Sequence, residues 1–247
     1  MRAQNSLLLG ADRALYLGEL PATGWHQHAS PVLLQGLSGR FAVHLPAGRV
    51  ETCHSALIDT GIPHVFDPRG EQVALVYLEP DAPEVAGLRG LFRQCGGVIL
   101  DPACAVRARS ASQTRLRAFD LPALLGRPLK QTAPLDARVA RSLAWMRQSA
   151  QCGEGPLARG QTAAAVHLSA SRFNHLFRAE VGVSFRDYRI WSQVRAAMQA
   201  LGSSPRLTDA ALGGAFVDSA HFSRMFRQTF GMTPSSVLKP LREVRRV

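Results

Sequence analysis

Two polar clusters of the same spacing, 49 residues apart, carry the most distinctive chemistry of this 247-residue chain. The first lies at residues 173–178 (Phe-Asn-His-Leu-Phe-Arg) and the second at residues 222–227 (Phe-Ser-Arg-Met-Phe-Arg). In the DNA major groove, arginine pairs bidentately with guanine and asparagine with adenine, and each such pair contributes about 1–3 kcal/mol of discrimination. We predict that polar side chains in each cluster and just before it contact base edges: Ser171, Arg172, Asn174 and His175 at the first, and Ser219, His221, Ser223 and Arg224 at the second.

Two further arginines are suited to the phosphate backbone. Arg178 and Arg227 close the clusters, and we predict that they contact phosphates; the alternative is that they are solvated. Residues 131–247 carry a net charge of +9, whereas residues 1–130 carry +2. This basic excess coincides with the repeated pattern, as neutralisation of phosphates requires. The coincidence favours DNA binding over a solvated basic face.

A helix is needed to present each cluster. In both copies the apolar residues recur at i, i+3, i+4 and i+8, which is one face of an amphipathic helix. Ser169 and Asp218 precede the helices at N-cap positions, and Gly182 and Gly231 follow at the C-terminal ends. The apolar stripes are predicted to pack in the core: Phe173, Leu176, Phe177, Phe222, Met225 and Phe226.

Short helix-capable segments precede both clusters, at residues 162–168 and 208–215, and each ends in a tight turn. Two helices joined by such a turn form a helix-turn-helix unit. The apolar positions of residues 184–201, between the units, step by three or four. We therefore predict one linking helix of roughly 25 Å, a length that suits two recognition helices about one DNA turn, roughly 34 Å, apart.

This stretch resembles the DNA-binding domain of AraC/XylS-type transcriptional regulators, and the similarity covers about the last 115 residues. The resemblance implies a sequence-specific regulator, an activator, with double-stranded DNA, RNA polymerase and a second copy of the chain as partners. The sequence departs from the family pattern at Ala210-Ala211, Ala215 and Val237-Leu238. These departures predict a less tightly packed second helix-turn-helix unit. The matching residues are Leu168, Ser169, Arg172, Phe173, Leu176, Phe177, Arg178, Gly182, Ser184, Phe185, Tyr188, Arg195, Ala197, Leu201, Phe216, Asp218, His221, Phe222, Ser223, Arg224, Phe226, Arg227, Gly231, Thr233 and Pro234.

Residues 1–100 have a different sequence pattern, in which short β-strand-like runs alternate with turns rich in glycine and proline. Such spacing predicts an antiparallel sandwich or barrel. This half resembles the cupin-type sensor domain that precedes many AraC-type DNA-binding domains. The similarity rests on His26-Gln27-His28, residues 36–39 (Gly-Leu-Ser-Gly), Pro63-His64 and residues 77–80 (Tyr-Leu-Glu-Pro).

Histidines are concentrated in this half of the chain. His26 and His28, at i and i+2 of a strand, point the same way, and we predict that they line an effector pocket with His64. A metal site is the alternative, because imidazole is a common ligand; Cys53-His54 is a second candidate for soft metals. The resembled metal-binding cupins add a Glu shortly after the His-x-His pair, and residues 30–33 (Ser-Pro-Val-Leu) lack it. We therefore predict no metal, no cofactor and no catalytic residue.

The predicted fold class is α+β multidomain: an N-terminal cupin-like β-barrel with packed helices, and a C-terminal all-α domain with two helix-turn-helix units joined by a long helix. Residues 1–100 form the effector-binding barrel, 101–129 a helical segment that the resemblance assigns to dimerisation, 130–134 a linker, and 135–247 the DNA-binding domain. The four scattered cysteines fit a reducing cytoplasm. No apolar run is long enough for a membrane span.

Three functions from different classes remain. The leading prediction is an effector-responsive transcriptional regulator without enzymatic activity. The alternative is a metal-dependent cupin enzyme fused to a DNA-binding domain, or a metal-sensing regulator that uses the N-terminal histidines. The third is a sequence-indifferent DNA-coating protein, which would not need the base-reading chemistry of Asn174 and Arg224.

Overall fold

The computed structural model describes residues 5–102, 121–125, 128–129, 133–151, 155, 157–201 and 206–246. The chain divides into two compact units, one of Met1–Gln131 with Phe226–Val247 and one of Thr132–Met225. Residues 103–119 of the predicted helical segment and the linker residues 130–132 lie outside the described residues.

Strands of the first unit form two sheets. In chain order they are β1 (Asn5–Leu9), β2 (Arg13–Gly18), β3 (Val32–Gly36), β4 (Phe41–His44), β5 (Val50–Cys53), β6 (Ser55–Ile58), β7 (Val65–Asp67), β8 (Val73–Leu78), β9 (Val98–Leu100) and β10 (Leu241–Arg246). A seven-stranded sheet has the order β10-β1-β2-β8-β3-β6-β9, and a three-stranded sheet has the order β5-β4-β7. Only the β1–β10 pair is parallel among these described strands.

Alternate residues of the central strands build one apolar core. Leu15 of β2 lies opposite Val76 of β8, and both belong to a core that includes residues of α1 (Pro83–Gln94) and α2 (Leu121–Leu125). Because side chains alternate along a strand, Tyr77 faces the side opposite to Val76. The helices therefore cover one face of the large sheet, and Tyr77 marks the other.

The last strand departs from the predicted all-α ending. Residues 241–246 form β10 and pair with β1, Leu7 standing opposite Val244. Without β10, β1 would be an edge strand with one row of unpaired backbone groups, and β10 pairs with that row. The C-terminal part is thus helical through Leu238 and then adds a strand. A partner more than two hundred residues away in sequence leaves no mark in the local pattern.

Helices make up the rest of the described C-terminal part. They are α3 (Ala137–Gln151), α4 (Arg159–Ala165), α5 (Ala170–Val181), α6 (Phe185–Ala200), α7 (Leu207–Gly213), α8 (Ser219–Phe230) and α9 (Pro234–Leu238). The α6 helix is the predicted linking helix, and Ser184 is its N-cap: the Ser184 hydroxyl accepts from the Asp187 backbone N–H and donates to the Asp187 carboxylate at 2.6 Å. The predicted fold class, with a sheet-rich N-terminal part and two helix-turn-helix units after it, is confirmed.

Aromatic rings hold the second unit together. Phe173 and Phe177 of α5 pack on Phe185 and Tyr188 of α6, with ring centroids between 5.1 and 5.5 Å apart across the two helices. Trp191 is buried further along α6. Burial of such large rings contributes most of the stabilisation of a small helical unit. These contacts fix α5 on α6 and leave the opposite face of α5 to solvent.

The second helix-turn-helix packs differently, through small residues. Ala210 and Ala211 of α7 are buried. A Cβ added at Gly213 would lie within contact distance of Ala200 of α6. Small side chains here let the two helices approach closely. The looser packing predicted for the second helix-turn-helix stays a prediction.

Candidate functional site

The first recognition helix, α5, is fixed at both ends. The Ser169 hydroxyl accepts from the backbone N–H of Arg172 at 3.3 Å, which satisfies one of the otherwise unpaired N–H groups of the first turn. At the other end Gly182 has a left-handed φ of 92°, and its N–H donates to the Arg178 carbonyl. Both caps were predicted from the sequence and are confirmed.

The solvent face of α5 carries the predicted base-reading residues. Ser171, Arg172 and His175 are exposed, and Asn174 is half-buried. Arg178 is also exposed, one helical turn beyond Asn174. The structure therefore places the first predicted set on one accessible surface. This arrangement can present several donors to a groove at once.

The second recognition helix, α8, offers fewer accessible groups. Arg224 and Arg227 are exposed, whereas His221 is half-buried with its ring edge-on to Phe216, 5.4 Å between centroids. The Ser223 hydroxyl donates to the Ser219 carbonyl at 2.7 Å within the helix. Local packing and a local hydrogen bond thus occupy two of the four predicted base-reading residues of α8, and their base-reading role stays a prediction.

Asp218 caps α8 as predicted. Its carboxylate accepts from the backbone N–H of His221 at 2.5 Å. A negative charge at this end of a helix also interacts favourably with the helix dipole. The cap orients the first turn of α8, where the predicted side chains lie.

One positioning residue was not predicted from the sequence. The Gln193 side-chain amide, on α6, donates to the carbonyls of Gly214 and Ala215 at 3.3 and 3.2 Å. Ala215 has a φ of 53°, a left-handed conformation that costs a non-glycine residue about 1–2 kcal/mol. Gln193 therefore stabilises the turn between α7 and α8 in a strained conformation. A polar residue among the apolar steps of a linking helix was the only sequence signal.

The three N-terminal histidines converge, as predicted. The backbones of His26 and His64 exchange hydrogen bonds of 3.1 and 2.9 Å, forming an isolated antiparallel bridge. Their rings stand 4.4 Å apart, and the ring of His28 lies 4.7 Å from His26 and 5.2 Å from His64. All three side chains are buried. We call this group the histidine cluster.

Burial sets the protonation of the histidine cluster. Desolvation by burial, together with the neighbouring His64, lowers the pKa of His26 to about 4. Burial likewise lowers the pKa of His28, with contributions from His26 and His64, and it lowers the pKa of His64. Removing an imidazolium from water is costly, so the three rings are neutral at physiological pH.

The cluster adjoins the end of α8 within the first unit. The N–H of Gly24 donates to the carbonyl of Gly231 at 2.7 Å. The ring of Phe230 lies 5.7 Å from that of His28 and 5.4 Å from that of Tyr77. This neighbourhood was not predicted, because nothing in the local sequence relates residues 24–28 to residues 230–231.

Cys53 and His54, the second candidate for a soft-metal site, do not place their side chains together. Cys53 is buried and His54 is exposed, as expected for adjacent residues whose side chains point to opposite faces. The Nδ1 atom of the His54 ring lies 3.2 Å from the carbonyl oxygen of Gly39.

Comparisons with known proteins agree with this architecture. Residues 162–240 match the family described as a helix-turn-helix domain. Over 104 residues, 41% of the chain, the sequence is 32% identical to the arabinose operon regulatory proteins of Salmonella typhimurium and Escherichia coli, of which 36% and 35% are covered. The match thus spans about a third of the length of these curated relatives.

The fold as a whole is similar to that of unsaturated fatty acid-bound ToxT from Vibrio cholerae. The TM-score is 0.59 at 11% identity, with 98% of each chain covered, so this likeness is one of fold alone. Within the described residues, no helix has the length and apolar character needed to cross a bilayer. Residues 162–240 thus carry a helix-turn-helix domain, and the matched region is similar to that of the arabinose operon regulatory proteins.

Proposed function

We propose that this protein is a sequence-specific DNA-binding transcriptional regulator whose occupancy of a promoter site is controlled by an effector held in the N-terminal, cupin-like part. The observation that carries the proposal is the solvent face of α5. Its capped backbone presents Ser171, Arg172 and His175 together. Donors of these types on one helix face suit the major groove.

The two recognition helices are proposed to contribute unequally. In α5 the base-reading candidates are accessible, whereas in α8 His221 packs on Phe216 and Ser223 bonds to its own helix. We infer that α5 supplies most of the discrimination between sequences. In α8, Arg224 contributes the remaining base contact and Arg227 a phosphate contact.

The remaining predictions form part of the same proposal. The regulator acts in the cytoplasm, activates transcription through contact with RNA polymerase, and pairs with a second copy of itself through residues 101–129. Effector control is supported by the convergence of His26, His28 and His64 in the first unit. It is also supported by the similarity in fold to ToxT of Vibrio cholerae, whose structure holds an unsaturated fatty acid. The protein needs no catalytic activity for this role.

The test is a measurement of specific and nonspecific DNA binding. Fragments retained by the purified chain from a genomic library define a site, and fluorescence anisotropy then compares that duplex with a scrambled one. Loss of one bidentate contact of about 1–3 kcal/mol corresponds to roughly 5- to 150-fold. We expect Arg172→Ala to weaken binding to the site by that factor and to change binding to the scrambled duplex little.

Arg93→Ala is the matched control, because it removes the same charge from an exposed position on α1. It should leave both affinities unchanged. If the wild-type chain binds the site and the scrambled duplex equally, the protein coats DNA without reading it, and the proposal fails. If Arg172→Ala lowers the affinity for both duplexes equally, the proposed base-reading role of α5 is wrong.

A further inference from the structure

The turns of the two helix-turn-helix units share one backbone geometry but differ in length by one residue. In each turn a residue with a left-handed backbone, His167 (φ 57°) or Ala215 (φ 53°), donates its N–H to the carbonyl three positions earlier, at 3.0 and 2.9 Å. In both turns the next residue donates to the carbonyl five positions earlier, at 2.9 Å. The first recognition helix is then capped at once by Ser169, whereas the second turn places Val217 before its cap, Asp218. Val217 is therefore an additional residue of the second turn.

The side chain of Val217 points into solvent. It is 86% exposed, the highest value among the large apolar side chains of the described residues. The residue before an N-cap commonly packs on the fourth residue of the helix and so fixes the direction from which the chain enters. Here Phe216 packs there instead: it is 4% exposed, and its ring lies 5.3 Å from that of Phe222. Val217 is thus not what holds α8 in place.

Val217 begins a line of exposed residues along α8. Ala220, Arg224 and Arg227 follow it at intervals of three, four and three positions, which place all four on one side of a helix. All four are exposed, whereas His221 in the same first turn is half-buried. We call Val217, Ala220, Arg224 and Arg227 the α8 stripe. The stripe is apolar at the N-terminal end of the helix and cationic beyond it.

This composition matches the groups that a DNA major groove presents. Thymine places its 5-methyl group there, where apolar side chains contact it, and the N-terminal residues of a recognition helix are those that approach the base edges. The branched side chain of Val217 has few rotamers, so it loses little freedom on contact. The neighbouring carboxylate of Asp218 already accepts the backbone N–H of His221, which offsets its repulsion from phosphates.

We propose that Val217 is a specificity-determining residue whose methyl groups contact the 5-methyl group of a thymine in the major groove. The inference rests on the proposed function, since it requires α8 to enter a groove. Val217 and Arg224 are seven positions apart, about 10 Å along the helix. Because successive bases of a strand are about 3.4 Å apart, the thymine should lie roughly three base pairs from the base that Arg224 contacts. Ala220, between them, adds a smaller apolar surface.

Replacement of thymine by deoxyuridine tests the contact, because deoxyuridine lacks only the 5-methyl group. Each thymine of the duplex selected by the wild-type chain is replaced singly, and binding is measured by fluorescence anisotropy. We expect one position at which the replacement weakens wild-type binding roughly fourfold, as for the loss of one buried methyl-sized group. Val217→Ala should bind the thymine and deoxyuridine duplexes alike at this position, and Val217→Ile should keep the difference between them.

Val50→Ala is the matched control, since it makes the same substitution at a 50% exposed valine of β5 in the first unit. It should show every deoxyuridine effect that the wild-type chain shows. Amide exchange of α8 in Val217→Ala should equal that of the wild type, because an exposed residue before the N-cap is replaced. This measurement verifies that the variant is folded.

Three results would overturn the role of Val217 and leave the proposed function standing. The first is a set of deoxyuridine effects that is the same in Val217→Ala as in the wild type. The second is a loss of affinity in Val217→Ala that is equal for the selected and the scrambled duplex. The third is unchanged DNA binding with reduced transcription by added RNA polymerase, which would assign Val217 to a protein partner.

Failure of the proposed function gives a different result. In that case the wild-type chain prefers no duplex, and no thymine replacement alters its affinity. Both the proposed function and the contact of Val217 with thymine would then be wrong.

Discussion

Substitution of Gly214 by alanine tests whether the close approach of α6 and α7 holds the second helix-turn-helix together. A Cβ at this position would lie 2.6 Å from the carbonyl oxygen of Gln193. It would also lie 2.8 Å from Cβ of Ala197 and 2.8 Å from a ring carbon of Phe216. Two of these neighbours are a helix backbone atom and a Cβ attached to it, so neither can rotate away.

Two costs add up in this variant. Overpacking a tight site typically costs about 1–3 kcal/mol. Displacement of the turn also weakens the two hydrogen bonds that Gln193 donates to Gly214 and Ala215, each contributing about 0.5–1.5 kcal/mol. We expect the free energy of opening of this unit to fall by about 2–4 kcal/mol, a factor of roughly 30 to 800 in amide exchange.

Hydrogen exchange measured on residues 206–216 reports the loss of local stability directly. A global melting curve would not, because the chain has two units that need not unfold together. Gly160→Ala is the matched control, since a Cβ at Gly160 in α4 meets nothing within 4 Å. There the change should be neutral or stabilising by up to about 1 kcal/mol, because alanine favours the helix. Wild-type exchange rates in Gly214→Ala would refute the packing argument.

Three further outcomes are expected. Arg224→Ala should weaken specific DNA binding more than nonspecific binding, whereas Arg227→Ala should weaken both alike and reduce the salt dependence by about one ion; the reverse pattern would exchange their roles. Ser169→Ala should destabilise α5 by about 1 kcal/mol through loss of the N-cap, and unchanged hydrogen exchange in the first turn of α5 would contradict the cap. Burial raises the pKa of Cys53 to about 12, so iodoacetamide followed by peptide mass mapping should label exposed Cys95 in native protein and Cys53 only after denaturation.

Local patterns were sufficient to predict the elements of the recognition region. The helix boundaries of α5 and α6 follow from Ser169, Gly182 and Ser184, because caps and apolar periodicity act within one or two turns. The two helix-turn-helix units could be predicted for the same reason. Their charge could be read from composition alone.

Accessibility of the predicted side chains depended on tertiary packing. His221 and Arg224 occupy similar positions in the sequence pattern, yet His221 packs on Phe216 while Arg224 is exposed. A helical period indicates which face a residue occupies, but the width of the buried stripe depends on what packs against it. The close α6–α7 contact likewise depends on the absence of side chains at Gly213 and Gly214, for which the sequence pattern gave no signal.

Contacts between distant parts of the chain were settled by the fold alone. The period-two rule placed His26 and His28 on one side, but only the backbone bridge to His64 brought the third ring to them. The pairing of β10 with β1 and the position of Gly231 beside Gly24 have no local signal at all. Such contacts are selected by the summed burial and hydrogen bonding of the whole unit, and no short stretch of sequence contains that information.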